Sequence, residues 1–284
     1  MTKSQGSIEI IKADGTKQIF SEKKLTSSLR RSGASVEIAK KIADQITSEI
    51  NPGMQTKDIY RRAFQILKQG DTKPIALRYN LRNAIMELGP DGFPFEKFVG
   101  EIFKGRGYEV QVGVIVPGWC IEHEVDISAV KNDEHVLVEC KFHNTNGIKT
   151  DLKVALYVKE RFEDIEKKYK SEKPNGNHHY KGWLVTNTKL TTKAIQYSCC
   201  VGLGVVGWGY PKEGNLEDLI LETKIHPITA LTTLSSQQKR RLLEKKIVLC
   251  RDLEDTKVLK GIGVQDKKIN TILREIEVIR NLHK

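Results

Sequence analysis

Hydrophobic positions along the chain change their rhythm several times, and each change marks an element. Ile8, Ile10, Ile19 and Phe20 bracket the segment ADGTK, whose central Asp14-Gly15 is a strong short-range hairpin signal. Beyond it Leu25, Leu29, Ile38, Ile42, Ile46, Ile50, Ile59, Phe64, Leu67, Leu77, Leu81 and Ile85 recur at helical spacing. They are interrupted by the turn signals Ser32-Gly33, Asn51-Pro52-Gly53 and Gly70-Asp71. The pattern predicts about four short helices behind one hairpin. The segment GPDGFP, residues 89 to 94, has two glycines and two prolines within six positions and reads as a linker.

After the linker, Phe95, Phe98, Val99, Ile102 and Phe103 keep an i, i+3, i+4 rhythm until Gly105 and Gly107, which predicts a helix. Strand-like runs follow around Tyr108–Val112, Glu124–Ala129 and Val136–Lys141, then a long helix from about Asp151 to Lys170. SEKPNGNHHYKG reads as a polar loop. GWLVTN, LTTKAIQYSCCVGL and GVVGWGY read as strand, helix and strand. From Pro227 the spacing is helical again. Three segments are therefore expected: 1–90, mostly helical with a hairpin; 91–225, α/β with a mixed central sheet; and 226–284, small and all-helical.

Composition adds two constraints. With 39% hydrophobic residues among 284 the chain can bury a core in each segment, so wholesale disorder is excluded. No unbroken apolar run approaches the roughly 18 residues of a membrane span, and MTKSQGSIEIIKADG lacks the apolar stretch of a secretory signal, so a cytoplasmic chain is expected. The five cysteines (Cys120, Cys140, Cys199, Cys200, Cys250) include no CxxC and read as reduced thiols. The net charge of +11 divides unevenly, as +7, -2 and +6 over the three segments. Two basic ends around a slightly acidic middle suit phosphate-binding modules flanking a site that keeps its own carboxylates.

The chemistry concentrates in the runs HEVDISAV and HVLVECKF. Alternation sends Leu137, Glu139 and Lys141 to one side of their strand, and the short connector VKNDE lets the two strands pair with Asp126 beside Glu139. Two carboxylates in one polar cleft repel unless a divalent cation lies between them, and all-oxygen ligation favours Mg²⁺ or Mn²⁺. Such a site suits phosphodiester hydrolysis, with Lys141 stabilising the growing charge or orienting the water. The helix FEKFVGEIFKGRGY, then a strand, VD, and VECK after 13 residues resemble the PD-(D/E)xK superfamily, and more closely the Mrr-like restriction endonuclease domain, over residues 91 to 222. That resemblance implies Asp126 and Glu139 as metal-binding acids, Lys141 as the catalytic lysine and Glu96 as a supporting helix glutamate, with Glu101 its rival. The proline that often precedes the first acid is absent. His123, His143, His178 and His179 fit no metal spacing with these acids.

IEIIKADGTKQIFSEKKL carries a second signal. Lysines on a hairpin and at a helix start can hold phosphates by point charge while an adenine packs beneath the hairpin; no Walker A loop is present, so binding without hydrolysis is expected. Together with QTKDIYRRAFQIL and IALRYNLRNAI it resembles the ATP-cone domain over residues 6 to 88. The resemblance implies ATP or dATP as allosteric ligand, with Ile10, Lys12, Gln18, Lys24, Thr56 and Tyr60 contacting it and Arg78 or Arg82 as further candidates. Ala13 stands where the family's VxKRDG pattern has a second basic residue.

At the other end, LKGIGVQDKKINTIL and the cluster Lys239-Arg240-Arg241 suggest either a glycine-capped helix boundary or a turn that offers backbone N–H groups to DNA, with dimerisation as another use. The combined expectation is a metal-dependent endodeoxyribonuclease gated by adenine nucleotide, as in prokaryotic defence, acting on DNA as a homo-oligomer. The alternative is a nucleotide-responsive DNA-binding regulator on a nuclease fold that no longer cleaves.

Overall fold

A computed structural model of the chain describes residues 8–172 and 179–282. Its backbone divides into two compact units, the first ending at Leu81 and the second starting at Arg82. The expected helical segment from residue 226 belongs to the second.

In the first unit β1 (Glu9–Ile11) and β2 (Lys17–Ile19) form an antiparallel hairpin with Ile10 opposite Gln18. Asp14 Oδ1 accepts from the Thr16 amide and hydroxyl, and Gly15 has φ 80°, the left-handed conformation such a turn requires. Helices α1 (Glu22–Arg31), α2 (Val36–Glu49), α3 (Thr56–Leu67) and α4 (Lys73–Met86) follow; the unit division falls within α4. Ser21 and Ser35 cap α1 and α2 by accepting from the amides of Lys24 and Ile38. Ile10, Leu29, Ile42, Ile46, Ile59 and Leu67 form the centre of the core. The outer side of β1 is pinned to the segment before α3, because Ile11 N donates to Met54 O and Gly53 N to Glu9 O.

The second unit opens with α5 (Phe93–Gly105). Next come β3 (Glu109–Pro117), β4 (Glu122–Lys131), β5 (Glu134–Lys141), β6 (Lys149–Thr150), α6 (Leu152–Glu172) and β7 (His179–Thr186). Then come β8 (Lys189–Leu190), α7 (Thr192–Val201), β9 (Gly204–Val206) and α8 (Leu216–Thr223). The sheet order is β3-β4-β5-β7-β9, antiparallel through β5 and parallel from there on, so it is mixed. Helices cover both faces, which is why Val136, Leu137 and Val138 on the central strand are all buried. On one face Gly100 of α5 lets the helix approach Val110, Val112 and Ile127; on the other, α6 packs Ala155, Val158, Phe162 and Ile165 with Val125, Leu137 and Leu184. Gly182 on β7 is essential to that second contact, since a Cβ there would meet the Phe162 ring at 2.4 Å. The two-residue strands β6 and β8 pair in parallel beyond the main sheet.

The C-terminal segment carries α9 (Ser236–Glu244), α10 (Thr256–Gly261) and α11 (Asp266–Arg280). The fully buried Glu275 of α11 accepts from the amides and hydroxyls of Thr232 and Thr233, four bonds that offset the burial of a carboxylate. Among the described residues no helix is long and apolar enough to cross a membrane.

Candidate active site

Asp126 and Glu139 meet where the sheet opens. The β4/β5 pairing ends at Ile127 opposite Val138, so the next position along sets Asp126 opposite Glu139. Instead of continuing the ladder, the Cys140 amide donates to Asp126 Oδ2 at 2.7 Å. The β3/β4 ladder is interrupted at the same level: its printed pairs pass from Val112–Ile127 to Val114–Val125, across Gly113, whose φ is 67°. The local turn of the chain changes which helix layer each side meets. Ile127 lies against Gly100 of α5, whereas Val125 joins the cluster packed with α6. The alternation rule therefore brings the two acids together while missing the kink beside them.

Glu96 enters from the first turn of α5 and lies close enough for its charge to act on Glu139 and to feel Asp126 and Glu124. Burial pushes the Glu139 carboxyl up to about 7, aided by Asp126 and Glu96 and opposed by Arg161. Burial likewise raises Glu96 to about 7, with Asp126 and Glu124 adding to it. Asp126 is raised by burial too, against the Cys140 amide and the charges of Arg161 and Lys141. Clustered acids that resist losing their protons are what a site poised for a cation produces. Lys141 is exposed at the end of β5, on the alternation that carries Glu139, and near enough to act on Asp126.

Glu101, the rival of Glu96, is taken elsewhere. It is buried, hydrogen-bonds Lys104 at 2.7 Å and pairs with Arg251, joining α5 to the C-terminal segment. Arg161 of α6 was not singled out by the sequence; its Nη1 donates to Glu139 Oε2 at 2.7 Å with both side chains largely buried. His123 and His143 serve structure. His123 bonds Asp164, and this hydrogen bond is the main cause of holding the Asp164 carboxyl down at about 2. His143 joins Thr150 and Asn187 in a buried polar network. His178 and the His179 side chain lie outside the described residues.

The donor set fits a hard divalent cation: Asp126 and Glu139 supply oxygens, with Glu96 as a third acid. Among the described residues no group of three or more His, Cys, Asp and Glu side chains is gathered closely enough to hold a metal ion, and Glu139 is bonded to Arg161 in this arrangement.

A second site lies in the first unit. A solvent-open cavity of about 160 Å³ is lined by Ile10, Gln18, Lys24, Thr56 and Tyr60, all singled out by the sequence, and also by Phe20, Ser21, Leu25, Ile59 and Tyr79. Tyr60 and Tyr79 stack at 4.7 Å, and the single Tyr60 hydroxyl proton is shared between Asn80 Oδ1 at 2.9 Å and the Tyr79 carbonyl at 3.1 Å, so the aromatic wall is fixed. Lys12 sits in the exposed hairpin turn, and Arg78 and Arg82 lie on α4; none of the three lines the cavity. Arg82 falls on the far side of the unit division.

The C-terminal basic cluster is partly committed internally. Lys239 donates to Thr229 O and Arg241 to Ile262 O. The Gly-Ile-Gly turn does separate two helices, but the amides of Ile262, Gly263 and Val264 donate to carbonyls of α10. The turn is a helix cap, and these N–H groups are not offered outward.

Fold and site together define an α/β protein with acids clustered at the open end of a mixed five-stranded sheet. The chain belongs to the family of the protein AF1548. An uncharacterized protein of Archaeoglobus fulgidus is 33% identical over 184 residues, spanning 64% of this chain and 99% of the relative. The crystal structure of the protein of unknown function AF1548 matches with a TM-score of 0.53 at 32% identity, over 67% of this chain and 98% of that one. The family model described as AF1548-like, C-terminal, matches residues 226–279.

Proposed function

We infer that the protein is a metal-dependent endodeoxyribonuclease whose activity responds to adenine nucleotide bound in the first unit. The carrying observation is the side-by-side placement of Asp126 and Glu139 where two strand ladders break, with Glu96 and Lys141 within electrostatic reach. A bound Mg²⁺ or Mn²⁺ would supply an acidified water and neutralise phosphate charge. In this reading Asp126 and Glu139 hold the ion and Glu96 supports it. The Lys141 ammonium faces the phosphodiester oxygens that gain charge as water adds to phosphorus and the bond to the leaving oxygen breaks, that oxygen departing with a proton.

The cleft of the first unit supports the regulatory half. Its tyrosine pair and apolar floor suit a purine, and Lys24 at its rim suits a phosphate. ATP or dATP that binds one assembly state better than another would shift its population, as a defence enzyme sensing nucleotide pools would require. The non-cleaving regulator draws support from one feature, the Arg161–Glu139 bond, because a permanent internal cation would make an external one redundant.

Plasmid DNA incubated with Mg²⁺, with and without ATP or dATP, separates the two. Nicking that Glu139→Ala and Lys141→Ala abolish, and that nucleotide changes, is the expected result. Absence of cleavage in every condition, with DNA binding retained, would favour the regulator.

A further inference from the structure

Arg161 stands at the centre of the acid cluster. The Arg161 side chain is 12% exposed and that of its Glu139 partner 18%, so the pair is largely shielded from water. An arginine that served only to fix Glu139 would be expected to engage it with both arms of its fork, or to spend its other donors on carbonyls. Arg161 instead makes one hydrogen bond to protein among the described residues, through Nη1, out of the five N–H donors a guanidinium carries. The Tyr157 ring, one turn earlier on α6 and 60% exposed, already lies 5.2 Å from the guanidinium carbon, a contact toward solvent that the guanidinium can keep when it leaves Glu139. The acids facing it are Glu139, Asp126 and, beyond them, Glu96; the other cation bearing on Asp126 is Lys141.

A guanidinium and a divalent cation compete for the same Glu139 oxygen. Carboxylate and phosphate, however, present equivalent pairs of oxygens to the arginine fork. We propose that Arg161 is a displaceable counter-ion, which holds Glu139 while the site lacks its metal and moves to a phosphate oxygen of the incoming nucleic acid, so that ion and polynucleotide load together. The inference rests on the phosphodiesterase reading and adds its loading rule. No covalent bond changes; one ion pair is exchanged for another. Reciprocity then requires nucleic acid to tighten ion binding by the factor by which the ion tightens nucleic-acid binding.

Calorimetric titration of the full chain with Mn²⁺, with and without a hydrolysis-resistant phosphorothioate duplex, tests this. For the unaltered protein the duplex should tighten Mn²⁺ binding by about 10-fold or more, within the usual range of coupling between sites. Arg161→Gln should bind Mn²⁺ alone about 5-fold or more tighter than the unaltered protein, with the duplex then adding about twofold or less. Arg161→Lys keeps the charge and loses the fork; Mn²⁺ binding alone should stay close to that of the unaltered protein while the effect of the duplex shrinks. Equal or weaker ion binding in Arg161→Gln, or undiminished coupling in Arg161→Lys, would overturn the inference and leave the nuclease reading standing. Failure of all three proteins to bind Mn²⁺ would remove the nuclease reading itself.

Discussion

The acid cluster and the N-terminal cleft are built from opposite kinds of surface. At the sheet, carboxylates from β4, β5 and α5 are held together against their mutual repulsion, and burial raises the Asp126, Glu139 and Glu96 carboxyls above the ordinary range. In the cleft, ten lining residues include one formal charge, Lys24; Gln18, Ser21 and Thr56 are polar and the other six apolar or aromatic. In the proposed reading the first site, where Arg161 bonds one of three mutually repelling acids, gains by taking up a cation, and the second gains by covering apolar surface. An ion-loaded site should therefore answer to pH and chelators, and the cleft to the shape of a base. Four measurements probe that contrast.

The largest effect is expected at the acids. Asp126→Asn can keep an oxygen for the Cys140 amide while losing the charge, so the fold should survive. Cleavage with Mg²⁺ should fall by about 10³-fold, the scale of removing a principal electrostatic element from a site of this kind. A plasmid-nicking time course measures it.

Next is stability against pH. A carboxyl whose folded value lies above its unfolded value of 4.5 stays protonated longer in the folded chain, so folding takes up protons between pH 4.5 and about 7. Stability should fall as pH rises through that window, with the full loss present above it. For Glu139 the shift to about 7 corresponds to on the order of 3 kcal/mol. Urea denaturation at pH 4 and pH 8 should show this slope, Glu139→Gln should flatten it, and Mn²⁺ should restore stability at pH 8 more than at pH 4. A slope of the opposite sign would mean that the acids are already fully compensated.

The cleft should be indifferent to those manipulations and sensitive to its aromatic wall. Tyr60→Ala should weaken ATP or dATP binding by about 10- to 100-fold, the scale of one lost base stack, with nucleotide-free cleavage unchanged. Equal binding of adenosine and ATP would show that the base carries the affinity. The smallest effect is expected at the rim: Lys24 is exposed, so Lys24→Ala should cost a few-fold in ATP affinity, as surface charge pairs do, and still less at high salt.

Much of this was legible in the sequence because it depends on short-range pattern. The alternation in HVLVECKF and the length of VKNDE suffice to bring Asp126 to Glu139, whereas Ile10, Gln18, Lys24, Thr56 and Tyr60 are named through the resemblance to the ATP-cone and line one cavity. What escaped depends on contacts that leave no local trace. Arg161 lies 22 positions from Glu139 in a helix of alternating charges, and it reads as one more solvated side chain. Of the two glutamates on one helix, the sequence already favours Glu96, but the buried pairing of Glu101 with Arg251 and Lys104 leaves no local trace. Gly113 looks like an ordinary strand glycine until its φ shows a kink. Strands β6 and β8, two residues each, are too short to show any period. Lys239 is drawn inward by a carbonyl that no charge count reveals.

The most direct test is to soak crystals of the full chain in Mn²⁺ at pH 8 and locate the ion by anomalous scattering. The expected result is a peak bonded to the carboxylates of Asp126 and Glu139, with the Arg161 guanidinium drawn off Glu139. A well-ordered site with no peak there, and the Arg161–Glu139 pair intact at saturating Mn²⁺, would contradict it.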